Sequence, residues 1–369
     1  MLKIHVSNPE PRRSSGSGWG FLYRKRLPAL TLFSALAVCA LMPASAQVPH
    51  AAASARHSAG SGEKYAASGR HMLVVQPDFS RAPVLDIING AMSSLDLVIY
   101  EMDDVEVINA MLNAVQRGVK VRAIFDIRSR HFIPNPNPAT MEIMAAGGIE
   151  VKEAPYELFN ITHQKTLVAD NAVAMIMGFN LCSNYFEGTR DFGVVTTDPD
   201  EVWEIAYTFE ADWNGRSSSH DGSSLVWSPD NARQKLTELI DSAESALDIY
   251  TLLVSDKGIL SALSAAAQRG VRVRLIAARL MEGGKDVNEK GLELLRAAGV
   301  QAKSMESPFV HGKMIMADYG SAVARVYVGS QNFSASSLDR NRELGVITEN
   351  RNALRDIQST FESDWGSIK

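Results

Sequence analysis

Cysteine is nearly absent: the chain has two, Cys39 and Cys182, and Cys39 falls in a segment expected to be removed. No intramolecular disulfide can then form, and no Cys and His spacing of a metal cluster appears. Long apolar runs are missing too. The longest, Leu27 to Leu41, is shorter than the roughly 20 residues that cross a bilayer, which favours a cleaved leader over an anchor. An excess of positive charge is also lacking. The net charge is −5, and removing residues 1–46 leaves 31 Lys and Arg against 41 Asp and Glu, about −10. That balance works against a broad nucleic-acid-binding face, although a local basic pocket stays open. Aromatic residues make up 7%, with no stripe of Lys and Arg interleaved among them.

What is present begins with Arg24, Lys25 and Arg26 before the apolar run, then Pro43 and the triplet Ala44, Ser45, Ala46. This is the order of a secretory signal, so residues 1–46 are expected to be cleaved and the protein to be periplasmic or secreted. Lipid modification at Cys39 and twin-Arg export through Arg12 and Arg13 are minor alternatives. Residues 47–71 are rich in Ala, Ser and Gly and read as a flexible tether. Folded structure is expected from Met72, and the remaining length is enough for substantial cores.

The organising feature is a duplication. AVQRGVKVR at 114–122 returns as AAQRGVRVR at 266–274, and FEADW at 209–213 returns as FESDW at 361–365. Two repeats follow, 72–216 and 217–369, joined by the polar stretch 214–224. Each runs helix (81–93 or 231–245), strand, helix ending in QRG, strand, and closes on a further strand and helix. Gly stops before continuous apolar runs predict α/β units with mixed, mostly parallel sheets, an α/β/α sandwich in each repeat. A duplication also allows a pseudo-twofold axis that brings the same loop of each half to one centre.

At corresponding places stand HQKTLVAD, 163–170, and HGKMIMAD, 311–318. In an extended strand, residues i and i+2 face one side, so His163 projects with Lys165 and His311 with Lys313. Asp170 and Asp318 fall at strand ends, where turn formation and charge support are their expected work. The doubled H-x-K-x4-D pattern resembles the phospholipase D superfamily, in its exported phospholipase D-like or cardiolipin synthase-like form, over residues 72–369.

The resemblance implies further site residues. Gly329, Ser330, Gln331 and Asn332 match the family's G-S-x-N segment, while the first half has Met177, Gly178, Phe179 and Asn180. Asn180, Asn332 and Ser330 are then expected to bind phosphate. Asp191 and Glu343, each after an Arg, resemble the carboxylate that orients the catalytic imidazole. The family groups both motif Asp residues, Asp170 and Asp318, with the catalytic His and Lys. The implied reaction is a two-step displacement at phosphorus without metal or other cofactor. His163 attacks to give a phosphohistidine, and His311 protonates the departing alcohol.

Other residues have plainer readings. His5, His50, His57, His71 and His220 lie in the leader, tether or linker and receive no role. His131 is read as an exposed loop histidine. Cys182 replaces the Ser equivalent to Ser334 and reads as a small buried side chain. Met141, Met144, Met314 and Met316 read as core. The acidic run Glu101, Asp103, Asp104, opposite Leu253, Ser255 and Asp256, reads as a helix N-cap. Phe132, Ile133, Phe159, Pro308 and Phe309 near the motif loops suit acyl chains, a transient membrane-surface contact, or lid packing. Three functions follow, in order: a phospholipid hydrolase or phosphatidyl transferase, an exported nuclease, and an inactive phosphate-binding protein. A monomer is expected.

Overall fold

A computed structural model describes residues 70–128, 135–220 and 223–368. The expected leader with Cys39, residues 47–69 of the tether, and His131, Phe132 and Ile133 lie outside the described residues. In the first half the elements are β1 (His71–Gln76), α1 (Ala82–Gly90), β2 (Ser94–Ile99), α2 (Val105–Gln116), β3 (Lys120–Phe125) and α3 (Asn137–Ala146). Then come β4 (Glu150–Glu153), β5 (Thr166–Ala169), β6 (Val173–Met177), α4 (Ser183–Gly188), β7 (Thr189–Thr196) and α5 (Pro199–Trp213). The second half opens with β8 (Leu225–Ser228), α6 (Ala232–Asp241), β9 (Ala246–Thr251), α7 (Lys257–Gln268) and β10 (Arg272–Ala278). A small hairpin follows, β11 (Met281–Glu282) and β12 (Lys285–Asp286), before α8 (Glu289–Ala297), β13 (Gln301–Met305) and β14 (Phe309–Val310). The chain closes with β15 (Lys313–Ala317), β16 (Arg325–Gly329), α9 (Ala335–Asp339), β17 (Glu343–Thr348) and α10 (Arg351–Ser367).

The two large sheets have one topology. The first is ordered β1-β7-β6-β5-β2-β3-β4 and the second β8-β17-β16-β15-β9-β10-β13. Along these paths β2-β3-β4 and β9-β10-β13 pair in parallel and the other four neighbouring pairs in each are antiparallel, while β14, off the path, pairs in parallel with β7. The sheets are therefore mixed, with a larger antiparallel share than the helix-strand rhythm predicts. The reason is local. β5 and β6 are joined by Asp170–Ala172, far too short for the crossover that a parallel pair needs.

The repeated phrases form one contact in each half. Gly118 and Gly270 take φ of +90° and +91°, which ends the helix and turns the chain into β3 or β10. Arg122 and Arg274 then lie over the FExDW aromatics, Arg122 on Phe209 and Trp213, Arg274 on Phe361 and Trp365, while pairing with Asp96 and Asp248. At the other end of the same helices, Asp104 caps α2 by accepting from the N–H groups of Glu106 and Val107, and Asp256 caps α7 through Ile259.

Three large apolar clusters, with a small fourth of Val98, Ile124, Ala154 and Phe209, make the core of the described residues. One lies between the first sheet and α1 to α4, a second between the second sheet and α6 to α9. The third joins the halves: Val75, Ile176, Phe192 and Val194 pack with Tyr250, Met314, Val328, Val346 and Phe361. Met144, Met314 and Met316 are buried and Met141 packs against the core, so the methionines are packing residues.

Two histidines given no role have structural ones. His71 belongs to β1, so ordered structure takes in the last residue assigned to the tether, and its ring bonds Glu201 at 2.7 Å and Thr348 at 2.6 Å. His220 stacks on Trp227, with centroids 4.5 Å apart, and bonds Asp230 and Thr208.

Candidate active site

The two motif strands lie next to the seam between the halves. The segment before His163 runs beside β17, where both His163 and Gln164 donate their N–H to the Arg342 carbonyl at 2.9 Å. In the mirror arrangement β14 pairs in parallel with β7, and His311 and Gly312 donate to the Arg190 carbonyl at 3.0 and 2.9 Å. Each motif is thus registered against a strand of the opposite repeat.

The side chains repeat this exchange. His163 Nδ1 donates to Glu343 Oε2 at 2.8 Å, and His311 Nδ1 meets Asp191 Oδ2 at 2.5 Å. A carboxylate only accepts, so each ring carries its proton on Nδ1 and turns Nε2 away from the carboxylate. Glu343 is fixed by the Ser337 hydroxyl at 2.5 Å and the Asn341 amide at 3.1 Å, and Asp191 by the Phe192 N–H at 2.8 Å. Tyr100 stands edge-on to His163 at 4.7 Å and Tyr185 edge-on to His311 at 4.8 Å.

His163, Lys165, His311 and Lys313 are 4, 1, 2 and 0% exposed, so only a small group can reach them. Lys165 Nζ donates to the His163 carbonyl at 2.7 Å, and Lys313 Nζ stands 3.1 and 3.2 Å from the two ring nitrogens of His311. Burial first, then repulsion from Lys313, lowers Lys165 to about 7, and burial lowers Lys313 to about 8. Burial also lowers His163 to about 4; Glu343 pulls it upward, and both lysines push it down. Asp191 is raised to about 6 by burial against the pull of both lysines. Glu343 lies below its ordinary value: burial pushes it up, but His163, Lys165 and its hydrogen bonds outweigh this. Each lysine therefore acts on groups of the other half.

The other expected residues divide. Asn180 is fully buried in the site and donates Nδ2 to Glu101 at 3.2 Å, while the Asn332 main-chain N–H is held by Ser337 at 2.8 Å. Asp170 and Asp318 must be separated from the catalytic group. They lie beyond the far ends of β5 and β15, five residues and about 16 Å along the strand from the lysines. Asp170 accepts from the N–H groups of Met92, Ser93 and Ser94, and Asp318 from those of Glu244, Ser245 and Ala246, both at φ near +55°. The Ser330 hydroxyl donates to the Leu344 carbonyl at 3.3 Å and accepts the Leu344 N–H at 3.2 Å, which ties it to β17.

The first half's Gly178 in place of that serine has a steric reason. A Cβ there would stand 2.3 Å from Asp191 Oδ1, so the shorter carboxylate requires the glycine. The acidic run splits as well: Asp104 is the cap, and Glu101 belongs to the site. Cys182 is 1% exposed, as a small core side chain.

Several site residues were missed. Arg190 is held by Asp364 at 2.7 Å and Arg342 by Asp212 at 2.9 and 2.8 Å. These are the aspartates of the two FExDW phrases, and each arginine's carbonyl positions a motif histidine. Asn137 and Asn288 bolt the loops after β2 and β9 to those after β3 and β10. A surface cleft of about 770 Å³, lined by Arg70, His71, Glu201 and Arg325, lies at the opposite end of the sheets. Among the described residues, no group of three His, Cys, Asp or Glu is placed to hold a metal ion, and no helix is long and apolar enough to cross a membrane.

A family model described as cardiolipin synthase, PLD-like domain, matches residues 84–213 and again 236–365. Cardiolipin synthase A of Wigglesworthia glossinidia brevipalpis is 24% identical over 341 residues, 78% of this chain and 67% of that protein. Cardiolipin synthase A of Proteus mirabilis is 25% identical over 316 residues, 73% of this chain and 64% of that one. The chain thus spans about two thirds of the length of these curated relatives. Phosphatidylserine synthase of Haemophilus influenzae Rd KW20 shares the fold at a TM-score of 0.63 and 12% identity, covering 81% of this chain and 86% of that one. Matched in both halves, the chain belongs to the phospholipase D-like family.

Proposed function

We propose that this chain is a phosphodiesterase that moves the phosphatidyl group of a phospholipid to water or to an alcohol, through a phosphohistidine and without a metal. One observation carries the reading: two buried imidazoles, each bound by a carboxylate of the opposite half, with both motif lysines among them. The curated relatives named cardiolipin synthase support a phospholipid as the substrate.

In the first step Nε2 of His163 attacks phosphorus, a P–N bond forms, and the P–O bond to the leaving alcohol breaks. His311 gives its Nε2 proton to that oxygen. In the second step His311 takes the proton of water or of an acceptor alcohol, whose oxygen attacks phosphorus as the P–N bond breaks. Burial leaves His163 neutral at pH 7, as a nucleophile must be, and Asp191 supports the imidazolium of His311. Lys165, Lys313, Asn180 and Asn332 supply donors to the nonbridging oxygens, whose charge grows in the transition state.

The test incubates purified protein with phosphatidylglycerol and phosphatidylcholine vesicles in EDTA, with and without a primary alcohol, beside single- and double-stranded DNA. Phospholipid cleavage, an exchanged lipid with the alcohol, and a loss of about 10³-fold in His163→Ala are expected. DNA cleavage with lipid intact would replace this reading by the nuclease, and no turnover of either by the inactive binding protein.

A further inference from the structure

We infer that Glu101 is a positioning residue that makes the two half-sites unequal, by fixing the Asn180 amide and by setting a third buried carboxylate on the Lys165 side of the site. The inference rests on the phosphoryl chemistry proposed above and deepens it.

The two repeats match at His, Lys, Asn and the orienting carboxylate, but not here. The 152-residue displacement that pairs Asp191 with Glu343 puts Leu253 opposite Glu101. Glu101 follows β2, is fully buried, and accepts from Asn180 Nδ2 through its side chain at 3.2 Å and from the Leu181 N–H through its carbonyl at 3.1 Å. A carboxylate cannot donate, so the Asn180 amide is held with its NH₂ toward Glu101 and cannot turn over. Its Oδ1 is buried without a hydrogen-bond partner among the described residues. Asn332 Oδ1 is likewise buried without a partner among the described residues, but the position matching Glu101 is Leu253, which offers its amide no carboxylate.

The charge is equally one-sided. Lys165 is faced by Lys313 of β15, Glu343 and Asp191 of β17 and β7, and Glu101. Lys313 is faced by Asp191, Glu343 and Lys165 and stands 3.1 and 3.2 Å from the His311 ring nitrogens. Glu101 itself is surrounded by Asn180, Lys165, Tyr185, Cys182 and Asp103. Tyr185, whose ring meets His311 edge-on, links it to the other half-site. Glu101 therefore adds to Glu343 and Asp191 in favouring the charged form of Lys165 beside a second lysine, and it points the first half's amide in one direction. A twofold frame thereby receives one half suited to hold the phosphoryl group and another suited to exchange the proton.

The experiment measures binding of inorganic phosphate by calorimetry from pH 5.5 to 9, for the wild type, Glu101→Gln and Glu101→Leu, with melting temperature as a check on folding. Gln keeps an acceptor for Asn180 but loses the charge, so the pH at which phosphate binding falls away should move down by about one unit. Leu, the second half's residue, should show the same movement and a further loss of affinity of about tenfold. A merely structural role would lower the melting temperature and leave that pH unmoved. Phosphate binding by the wild type with an unmoved pH limb in Glu101→Gln overturns this inference alone; no binding by the wild type overturns it together with the proposed function.

Discussion

Asp318 and Glu343 both accept hydrogen bonds in buried places, but from different partners, and substitution separates them. Asp318→Ala strands the N–H groups of Glu244, Ser245 and Ala246, so a loss of about 2 kcal/mol in stability with kcat nearly unchanged is expected. Glu343→Gln keeps most of the shape and removes the charge that orients His163; kcat should fall about 10²-fold with little change in melting temperature. Equal losses of activity in the two variants would contradict the division. The pH profile follows from the same groups. Protonation of His163 near 4 would remove the proposed nucleophile, while Lys165 near 7 and Lys313 near 8 lose their charge above those values. A bell-shaped kcat/KM that declines above about pH 7, as Lys165 and then Lys313 lose their charge, is expected, and activity still rising at pH 9 would rule it out. The histidine also ties folding to pH. Between its unfolded value of 6.5 and about 4 the unfolded chain binds the additional proton, so stability falls as pH drops through that window.

At the scale of elements, the closing helices carry the seam. Asp212 of α5 and Asp364 of α10 each grip the arginine of the opposite repeat, and the arginine carbonyls seat the histidine strands. Asp364→Ala leaves Arg190 buried and short of its partner, which should cost about 3 kcal/mol and lower activity together, because His311 loses its register. Thermal unfolding beside turnover checks this, and full activity in a destabilised variant would show that the register does not depend on the pair. The FExDW repetition was visible as a marker of duplication. Its Phe and Trp serve within their own half and its Asp across the seam, which a linear phrase does not distinguish.

Across the whole molecule, the third apolar cluster makes the halves one cooperative body. Phe192 of the first packs against Tyr250 of the second, and Phe361 against Tyr250 in turn. One calorimetric unfolding transition is expected for the folded part. Two resolved transitions would mean that the seam contributes little, and that the crossed carboxylates are held by something else.

The sequence by itself determined the duplication, the α/β character of each half, and the i, i+2 pairing that sets an imidazole beside an ammonium on each motif strand. These follow from local periodicity and from repetition, which a linear chain displays. Only the tertiary structure decided which carboxylate serves which histidine, that Asp170 and Asp318 tie down loops, that Ser330 binds main chain, and that Glu101 enters the site. Those relations join residues as far as 180 positions apart, as His163 and Glu343 are. They depend on how the shared core docks two similar halves, and a repeat read along the chain pairs each residue with its copy, whereas packing about a twofold pairs it with the other half.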